Sequence, residues 1–469
     1  MKAALALRPL AALLALGLTG TAALAAPPHV PMQTRELGEA MAMLRHAISV
    51  PTVKGNHQVP ALAAYFADQL KAGGFAPGDI EIIPVGETAA LAARYRGTGH
   101  GKPIYLSGHM DVVAAKRSDW TRDPFTLIQE NGYLYGRGTA DMKTAAVVLV
   151  ETLIRLKREG FKPSRDIVLL LSGDEETDMA TTRELAKRYH DAEFLLNADA
   201  GGGTLDPASG KPVVYQIQAA EKTYADFRIT LTSPGGHSSE PTADNAIYRL
   251  AKVIDRVGGY AFPPMINDIT RASLRATGAH TPGALGEAMT RYAAHPDDAA
   301  AAATISADPG YVGQIRTTCV ATMLDGGHAL NALPQSASVN VNCRIFPGTS
   351  VASVRETLTK VIDDPSASIT VLPPPPVESP ASPLRPDVIA AVTDAVHARF
   401  PGVEIAPGMS AGASDSMYFR NAGVPSYGVD AAFTKPDDTF AHGLNEKLPA
   451  SEVGAGLDFW HRVLMQLAK

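Results

Sequence analysis

The chain has 469 residues, 45% of them hydrophobic and 19% charged; at roughly 150 residues per domain it has room for two or three domains, which excludes a small stapled scaffold. This is the composition of an ordinary folded protein, not of long disorder or of several membrane spans. With 42 Lys plus Arg against 48 Asp plus Glu, a net charge of -6, the basic excess that would attract nucleic acid or an anionic membrane surface is missing, so neither is expected as a partner.

Residues 1–25 read as an export signal, with Lys2 and Arg8 supplying positive charge, an apolar stretch over 10–18, and Ala23-Leu24-Ala25 as a small-residue cleavage site. The apolar stretch is shorter than the ~20 residues that span a bilayer. The expectation is a cleaved leader and an exported chain, periplasmic or secreted. Next come short apolar runs at 104–106, 167–171 and 194–196, which suit buried strands, and a helical pattern at 142–159 between the first two. Strand, helix, strand implies a parallel sheet. From 224 the rhythm changes to strand 224–231, helix 243–257, strands 319–324 and 337–345, helix 351–362 and strand 369–372, the βαββαβ order of a split ferredoxin-like module. The Ala-rich stretch 299–303 inside it reads as helix or solvated loop. The proline run 373–376 then carries the chain out of the module, and from Pro386 the α/β pattern resumes and closes in a helix with Val453, Leu457, Val463, Leu464 and Leu467 on one face. The expected architecture is α/β: a catalytic domain with a mainly parallel sheet flanked by helices (26–220 and 379–469) around an inserted ferredoxin-like α+β domain (221–378).

The chemistry-bearing residues gather at the ends of these expected strands, where an α/β sheet places its site. They are His109 and Asp111 in GHMD, Asp141 in GRGTADMK, Glu175 and Glu176 in GDEE, Asp199 in NADAGGG, and, late in the chain, His442 in AHGLNE. Imidazole nitrogen and carboxylate oxygen suit a divalent ion such as zinc, and cobalt and manganese accept the same donors. With Asp141, Glu176 and Asp199 as ligands and Glu175 free as a base, the site carries four negative charges, which two divalent cations balance and one does not. A carboxylate then bridges ions roughly 3.5–4 Å apart, and a water shared between them becomes acidic enough to attack. Asp111 is placed to accept the second ring proton of His109. Glu175 is placed to take the proton of the water and pass it to a leaving amine, which is the logic of amide hydrolysis.

With these motifs in order, joined by WTRDPF (120–125) and GGHSSEP (235–241), the chain resembles the zinc exopeptidases and amidases that include aminoacylase, glutamate carboxypeptidase, succinyl-diaminopimelate desuccinylase and yeast carboxypeptidase S. The resemblance runs from about residue 40 to the end. The segment from Arg316, RTTCVATMLDGGHALNALPQSASVNVNCRIFPG, is most similar to the carboxypeptidase S and N-acyl-amino-acid amidase branch. It implies two zinc ions held by His109, Asp141 as the bridge, Glu176, Asp199 and His442, with Glu175 as base. It further implies that the inserted domain is a lid forming a homodimer, and that His237 of GGHSS reaches into the partner's site to stabilise the oxyanion. Asn331 and Arg344 match lid residues that hold substrate, and Arg344 suits a terminal carboxylate. The substrate implied is a small peptide or an N-acyl amino acid. Many relatives carry Arg where Met417 stands, and the branch often has an acidic residue where Ala200 stands, so substrate preference departs from the pattern.

Two other mechanisms compete. Gly408-Met-Ser410-Ala-Gly412 fits a serine nucleophile elbow, with Asp437 and His442 following in the order of acid and histidine. Only 57 residues follow it, and no oxyanion segment of the HGGG type lies upstream. A catalytically silent peptide binder would have no use for Glu175 beside a full ligand set. His280, His295, His328 and His397 enter no site. Cys319 and Cys343, the only cysteines, lie on neighbouring expected strands and suit either a cross-strand disulfide or two buried thiols.

Overall fold

The computed structural model describes residues 34–435, 438 and 440–469. The expected export signal, and the Asp437 of the serine reading, lie outside the described residues. A large mixed sheet organises the chain, with strands in the order Ile80–Val85, Thr88–Tyr95, Ile167–Ser172, Ile104–His109, Phe194–Asn197, Ser426–Gly428, Pro212–Glu221, Gly202–Leu205 and Phe433–Thr434, while Glu404–Ser410 pairs alongside Pro212–Glu221. Its centre is parallel: Ile104–His109 lies between Ile167–Ser172 and Phe194–Asn197, and the latter pairs with Ser426–Gly428. Every residue of Ile104–His109 and Ile167–Ser172 is buried, as continuous apolar runs covered on both faces must be. Helix Lys143–Arg158 packs between Thr34–Ser49 and Ser451–Leu467 on one face. It ends in Arg155, Lys157 and Arg158, cations that suit the negative end of a helix dipole.

A second sheet has the order Thr318–Gly326, Ser336–Ile345, Thr223–Thr232, Ser368–Val371, all antiparallel. Along Thr223–Thr232 burial alternates, with Ala225, Phe227, Ile229 and Leu231 facing inward, the period-two signature of a sheet with one face covered. Helices Ala246–Gly259 and Val351–Ile362 supply Leu250, Val253, Val354 and Leu358 to that core. This is the inserted ferredoxin-like α+β arrangement expected from the sequence. Cys319 and Cys343 stand directly opposite each other in its register and form a disulfide with an S–S distance of 2.01 Å.

The helices Asp268–His280, Gly283–Ala294 and Ala299–Ser306 lie within 221–378 in sequence, yet the first of them packs on strand Glu404–Ser410 of the large sheet, with Ile269 in the main core. The three share a small core of Leu274, Met289, Tyr292 and Ile305. The Ala-rich stretch is helical with Ala301 and Ala302 buried, so its alanines are packing residues.

Candidate functional site

Register brings the candidate residues together. His109 pairs with Ser172, and Ser107 with Asn197, so the three central parallel strands end at one level, and the segments that follow them carry Asp111, Glu175, Glu176 and Asp199. Gly108 permits the close packing of this edge, since a Cβ there would lie 2.5 Å from Met142 Cε. Asp141 precedes helix Lys143–Arg158, joined to Met142 by a cis peptide.

Asp141 stands between the two histidines. Its Oδ1 is 3.0 Å from His109 Nε2 and its Oδ2 is 3.1 Å from His442 Nε2. His109 Nε2 also lies 3.6 Å from Asp199 Oδ1, and His442 Nε2 lies 2.9 Å from Glu176 Oε1. One donor atom each from His109, Asp141 and Glu176 falls within 4.8 Å of the others, and the same holds for His109, Glu175 and Asp199. Two imidazoles facing several carboxylates, with one carboxylate offering an oxygen to each side, is a donor set that fits a pair of divalent cations.

The clustered imidazoles and carboxylates shift one another's proton affinities. Burial alone would push the His109 imidazole down, but Asp199, Asp111 and Asp141 overcome it and hold it well above its ordinary value. Burial acts upward on Asp141 as well, yet the two histidines bring its carboxyl below the ordinary range. Asp199 is pushed up to about 7 by burial, with His109 opposing. Glu175 is driven well above the ordinary range, first by burial and then by repulsion from Asp199, Asp415 and Glu176. His442 rises to about 10 through its bonds to Asp141 and Glu176. A carboxyl that binds a proton near neutrality is suited to general base and acid work.

Asp111 organises the cluster from behind. Its carboxylate accepts the backbone N–H groups of Glu175 and Glu176, each at 3.1 Å. His109 Nδ1 is 3.0 Å from the backbone oxygen of Asp111 and 3.4 Å from its carboxylate. The ring orientation is therefore held by both the main chain and the side chain of one residue.

The sequence reading assigned no role to Glu446, Arg137 or Lys143. Glu446 Oε1 accepts N–H groups from Gly138 at 3.1 Å, Ala140 at 2.8 Å and Asp141 at 3.0 Å, while Oε2 pairs with Arg137 Nη1 at 2.6 Å. Arg137 Nη2 donates to the carbonyls of His442 and Gly443 at 3.3 and 3.1 Å. This buried pair thus fastens the loop of Asp141 to the loop of His442. The fastening holds a strained backbone, because His442 has φ 63°, a left-handed conformation that costs a non-glycine residue about 1 kcal/mol or more. Lys143 Nζ donates to the carbonyls of Ala47 and Val50 at 2.8 and 2.7 Å, and burial draws its amine down to about 7. The only sequence signal for the Arg137–Glu446 pair was that each sits inside a ligand motif.

The residues expected from the inserted domain are not joined to this cluster by any described hydrogen bond or ion pair. His237 lies exposed on a two-residue strand opposite Ala332, with Nδ1 2.7 Å from Ser239 Oγ, and Asn331 accepts the N–H of Ser238 at 3.1 Å. Arg344 stacks 4.6 Å from the ring centroid of Tyr224 and donates to the Ala411 carbonyl at 3.2 Å. The serine elbow does not form. Ser410 ends strand Glu404–Ser410, helix Ser416–Asn421 begins only after a further loop, and Ser410 Oγ accepts the N–H of Gly412 at 2.9 Å, whereas His442 is taken by Asp141 and Glu176.

Comparison with known proteins agrees with this geometry. The sequence profile described as Peptidase family M20/M25/M40 matches residues 105–466. The protein named probable carboxypeptidase S-like 2 of Dictyostelium discoideum is 26% identical over 384 residues, 78% of this chain and 72% of that one. Human N-fatty-acyl-amino acid synthase/hydrolase PM20D1 is 28% identical over 369 residues, 74% of this chain and 70% of its own. The crystal structure of an M20 family metallo-carboxypeptidase, Sso-CP2 of Sulfolobus solfataricus, shares the fold with a TM-score of 0.68 at 18% identity, covering 91% of this chain and 99% of that one.

Proposed function

Because the chain belongs to peptidase family M20/M25/M40, and is thus an enzyme of the metallopeptidase and amidohydrolase kind, we propose that it is an exported two-zinc hydrolase that cleaves the amide bond of a small peptide, as a carboxypeptidase or dipeptidase. The observation that carries this reading is Asp141 offering one oxygen to the side of His109 and the other to the side of His442. On this reading His109 and Asp199 would hold one ion and Glu176 and His442 the other, with Asp141 offering an oxygen to each side. When bound, the two ions supply the positive charge that acidifies a shared water and polarises the scissile carbonyl.

The chain's own groups do the rest. Glu175, half-buried and already inclined to hold a proton, accepts the proton of the attacking water and returns it to the leaving amine. Asp111 keeps both glutamates aimed by holding their backbone N–H groups. Arg344 orients a terminal carboxylate once it exchanges the Ala411 carbonyl for substrate.

Export is supported by the disulfide Cys319–Cys343, a bond that persists in oxidising compartments. No helix among the described residues is long and apolar enough to cross a membrane. A homodimer through the inserted domain is supported by its edge strand Thr318–Gly326, where Val320, Met323 and Leu324 are 57, 67 and 69% exposed, since an unpaired apolar edge invites another strand. In that dimer His237 would serve the partner's oxyanion.

A second reading, hydrolysis of N-acyl amino acids, is favoured by the likeness to human PM20D1. The deciding experiment is elemental analysis of the purified mature protein, with a panel of dipeptides and N-acyl amino acids assayed before and after chelation. About two zinc per chain and turnover lost on chelation are expected, and the preferred substrate chooses between peptidase and amidase. A metal-free protein whose turnover survives chelation overturns the reading.

A further inference from the structure

The segment Ser414-Asp415-Ser416 lies outside the ligand cluster, yet it touches both strand ends that carry it. Ser414 Oγ accepts from Asn197 Nδ2 at 3.2 Å and donates to the Glu221 carboxylate. Ser416 Oγ takes the other Asn197 Nδ2 proton at 3.1 Å, and Asn197 Oδ1 accepts the backbone N–H of Asp199 at 3.0 Å. Asp415 accepts from Ser172 Oγ at 2.6 Å and from Thr182 Oγ1, and Ser172 ends the strand that leads to Glu175 and Glu176. All of Ser172, Asn197, Ser414, Asp415 and Ser416 are buried.

Hydrogen-bond capacity fixes how these groups point. The Asn197 amide has two donor hydrogens, both spent on serine oxygens, which leaves its carbonyl oxygen aimed at Asp199. Reversed, the amide would set a donor against the Asp199 N–H. Ser414 has one donor, spent on Glu221, and its lone pairs receive Asn197 Nδ2. Glu221 is itself anchored by Arg420 Nη1 at 3.0 Å and Gln218 Nε2 at 2.9 Å. It is also the last residue of Pro212–Glu221 in the large sheet, with the small sheet starting at Thr223. The chain of bonds therefore runs from the crossing between the sheets to Asp199, through the buried side chains of Glu221, Ser414 and Asn197.

We infer that Asn197 and Ser414 are positioning residues that set Asp199 for the ion it shares with His109, and that Glu221 anchors this setting at the crossing between the two sheets. The inference rests on the two-ion reading above. It makes the two ions unequal: the one at His109 and Asp199 depends on Ser414, while the one at Glu176 and His442 does not.

Stepwise zinc loading of the chelator-stripped full chain, followed by competition with a chromophoric chelator, tests this. Ser414→Ala should weaken one of the two ions about 10–100-fold, the usual cost of losing an outer partner of a ligand, and leave the other within about twofold. In a His442→Ala background, which isolates the ion at His109 and Asp199, Ser414→Ala should weaken the ion that remains. Ser414→Thr, which keeps the hydroxyl, should restore it. If Ser414→Ala does not fold, Asn197→Leu, close to asparagine in size but with no acceptor for the Asp199 N–H, supplies the same comparison. Unchanged affinities, or equal weakening of both ions with no rescue by Thr, overturn the inference. A wild-type chain that binds no zinc overturns the two-ion reading instead.

Discussion

The large sheet and the inserted sheet treat their candidate residues in opposite ways. On the large sheet, His109, Asp111, Asp141, Glu175, Glu176, Asp199 and His442 come from five separate stretches and converge within hydrogen-bond and ligand distance. On the inserted domain, His237 and Asn331 are exposed, and Arg344 is spent on Tyr224 and the Ala411 carbonyl. The difference separates chemistry from recognition. The large sheet brings its candidate residues together within one chain, whereas those of the inserted domain stay apart from them and, on the proposed reading, act only with substrate or a second chain present.

The sharpest test of that division is Glu175→Gln, which keeps shape and removes the base. Turnover should fall about 10²–10⁴-fold with zinc content unchanged, read by steady-state kinetics beside elemental analysis. Turnover at the wild-type rate would remove Glu175 from the mechanism. Mixing Glu175→Gln chains with His237→Ala chains then probes the other side of the comparison. If His237 acts in the partner's site, heterodimers regain part of the lost activity, because one of their two sites has both groups intact. Heterodimers that form and stay inactive would return His237 to the surface.

Next in size is the pair that fastens one ligand loop to another. Arg137→Met should cost about 3 kcal/mol of stability, since it leaves Glu446 buried without its cation, and should weaken zinc binding about 10–100-fold. The inserted sheet, with its separate core, should keep its protection in hydrogen exchange. Loss of protection spread evenly over both sheets would show that the pair supports the whole molecule and not the site.

The Arg137–Glu446 pair also marks where the sequence stops being legible. The buried strands at 104–109, 167–172 and 194–197 were readable because each opens with a short apolar run, and His109, Glu175, Glu176 and Asp199 because each stands at or just after the end of one, whereas Asp141 and His442 were read from their motifs. Arg137 and Glu446 lie 309 positions apart, and nothing in either motif says which polar residues will meet. The helices over 268–306 escaped for another reason. Alanine and glycine recur through them, so apolar periodicity is weak, and their packing on strand Glu404–Ser410 is a contact that only the tertiary fold creates. Reading 221–378 as one continuous module left no place for that contact.

Acid–base behaviour divides the site from the rest of the molecule more gently. In the metal-free chain burial raises Asp199 to about 7, Asp430 to about 7 and Asp415 to about 6. Between about pH 4 and pH 7 the folded state therefore holds protons that the unfolded state has released, and stability falls as pH rises. His461, whose imidazole burial lowers, acts with the opposite sign, but the buried carboxyls of Glu151, Glu175 and Glu446, all raised, reinforce the three aspartates. Zinc displaces protons from its ligands, so the rise in melting temperature on adding zinc should grow across the same interval. A zinc-induced shift that is constant from pH 5 to pH 7 would detach Asp199 from the metal site.

The smallest effect expected belongs to the inserted sheet. Arg344→Lys keeps the charge but loses the planar fork that can grip a carboxylate with two parallel bonds. Losing one such bond is worth about 1 kcal/mol, or roughly fivefold in KM, with kcat and zinc content unchanged because no described contact joins Arg344 to the cluster. The effect should vanish for substrates whose terminal carboxylate is amidated, since the second bond then has no partner to lose. A fall in kcat with unchanged KM would place Arg344 in the chemistry and dissolve the division between the two sheets, whereas a KM effect confined to free carboxylates would assign it to recognition.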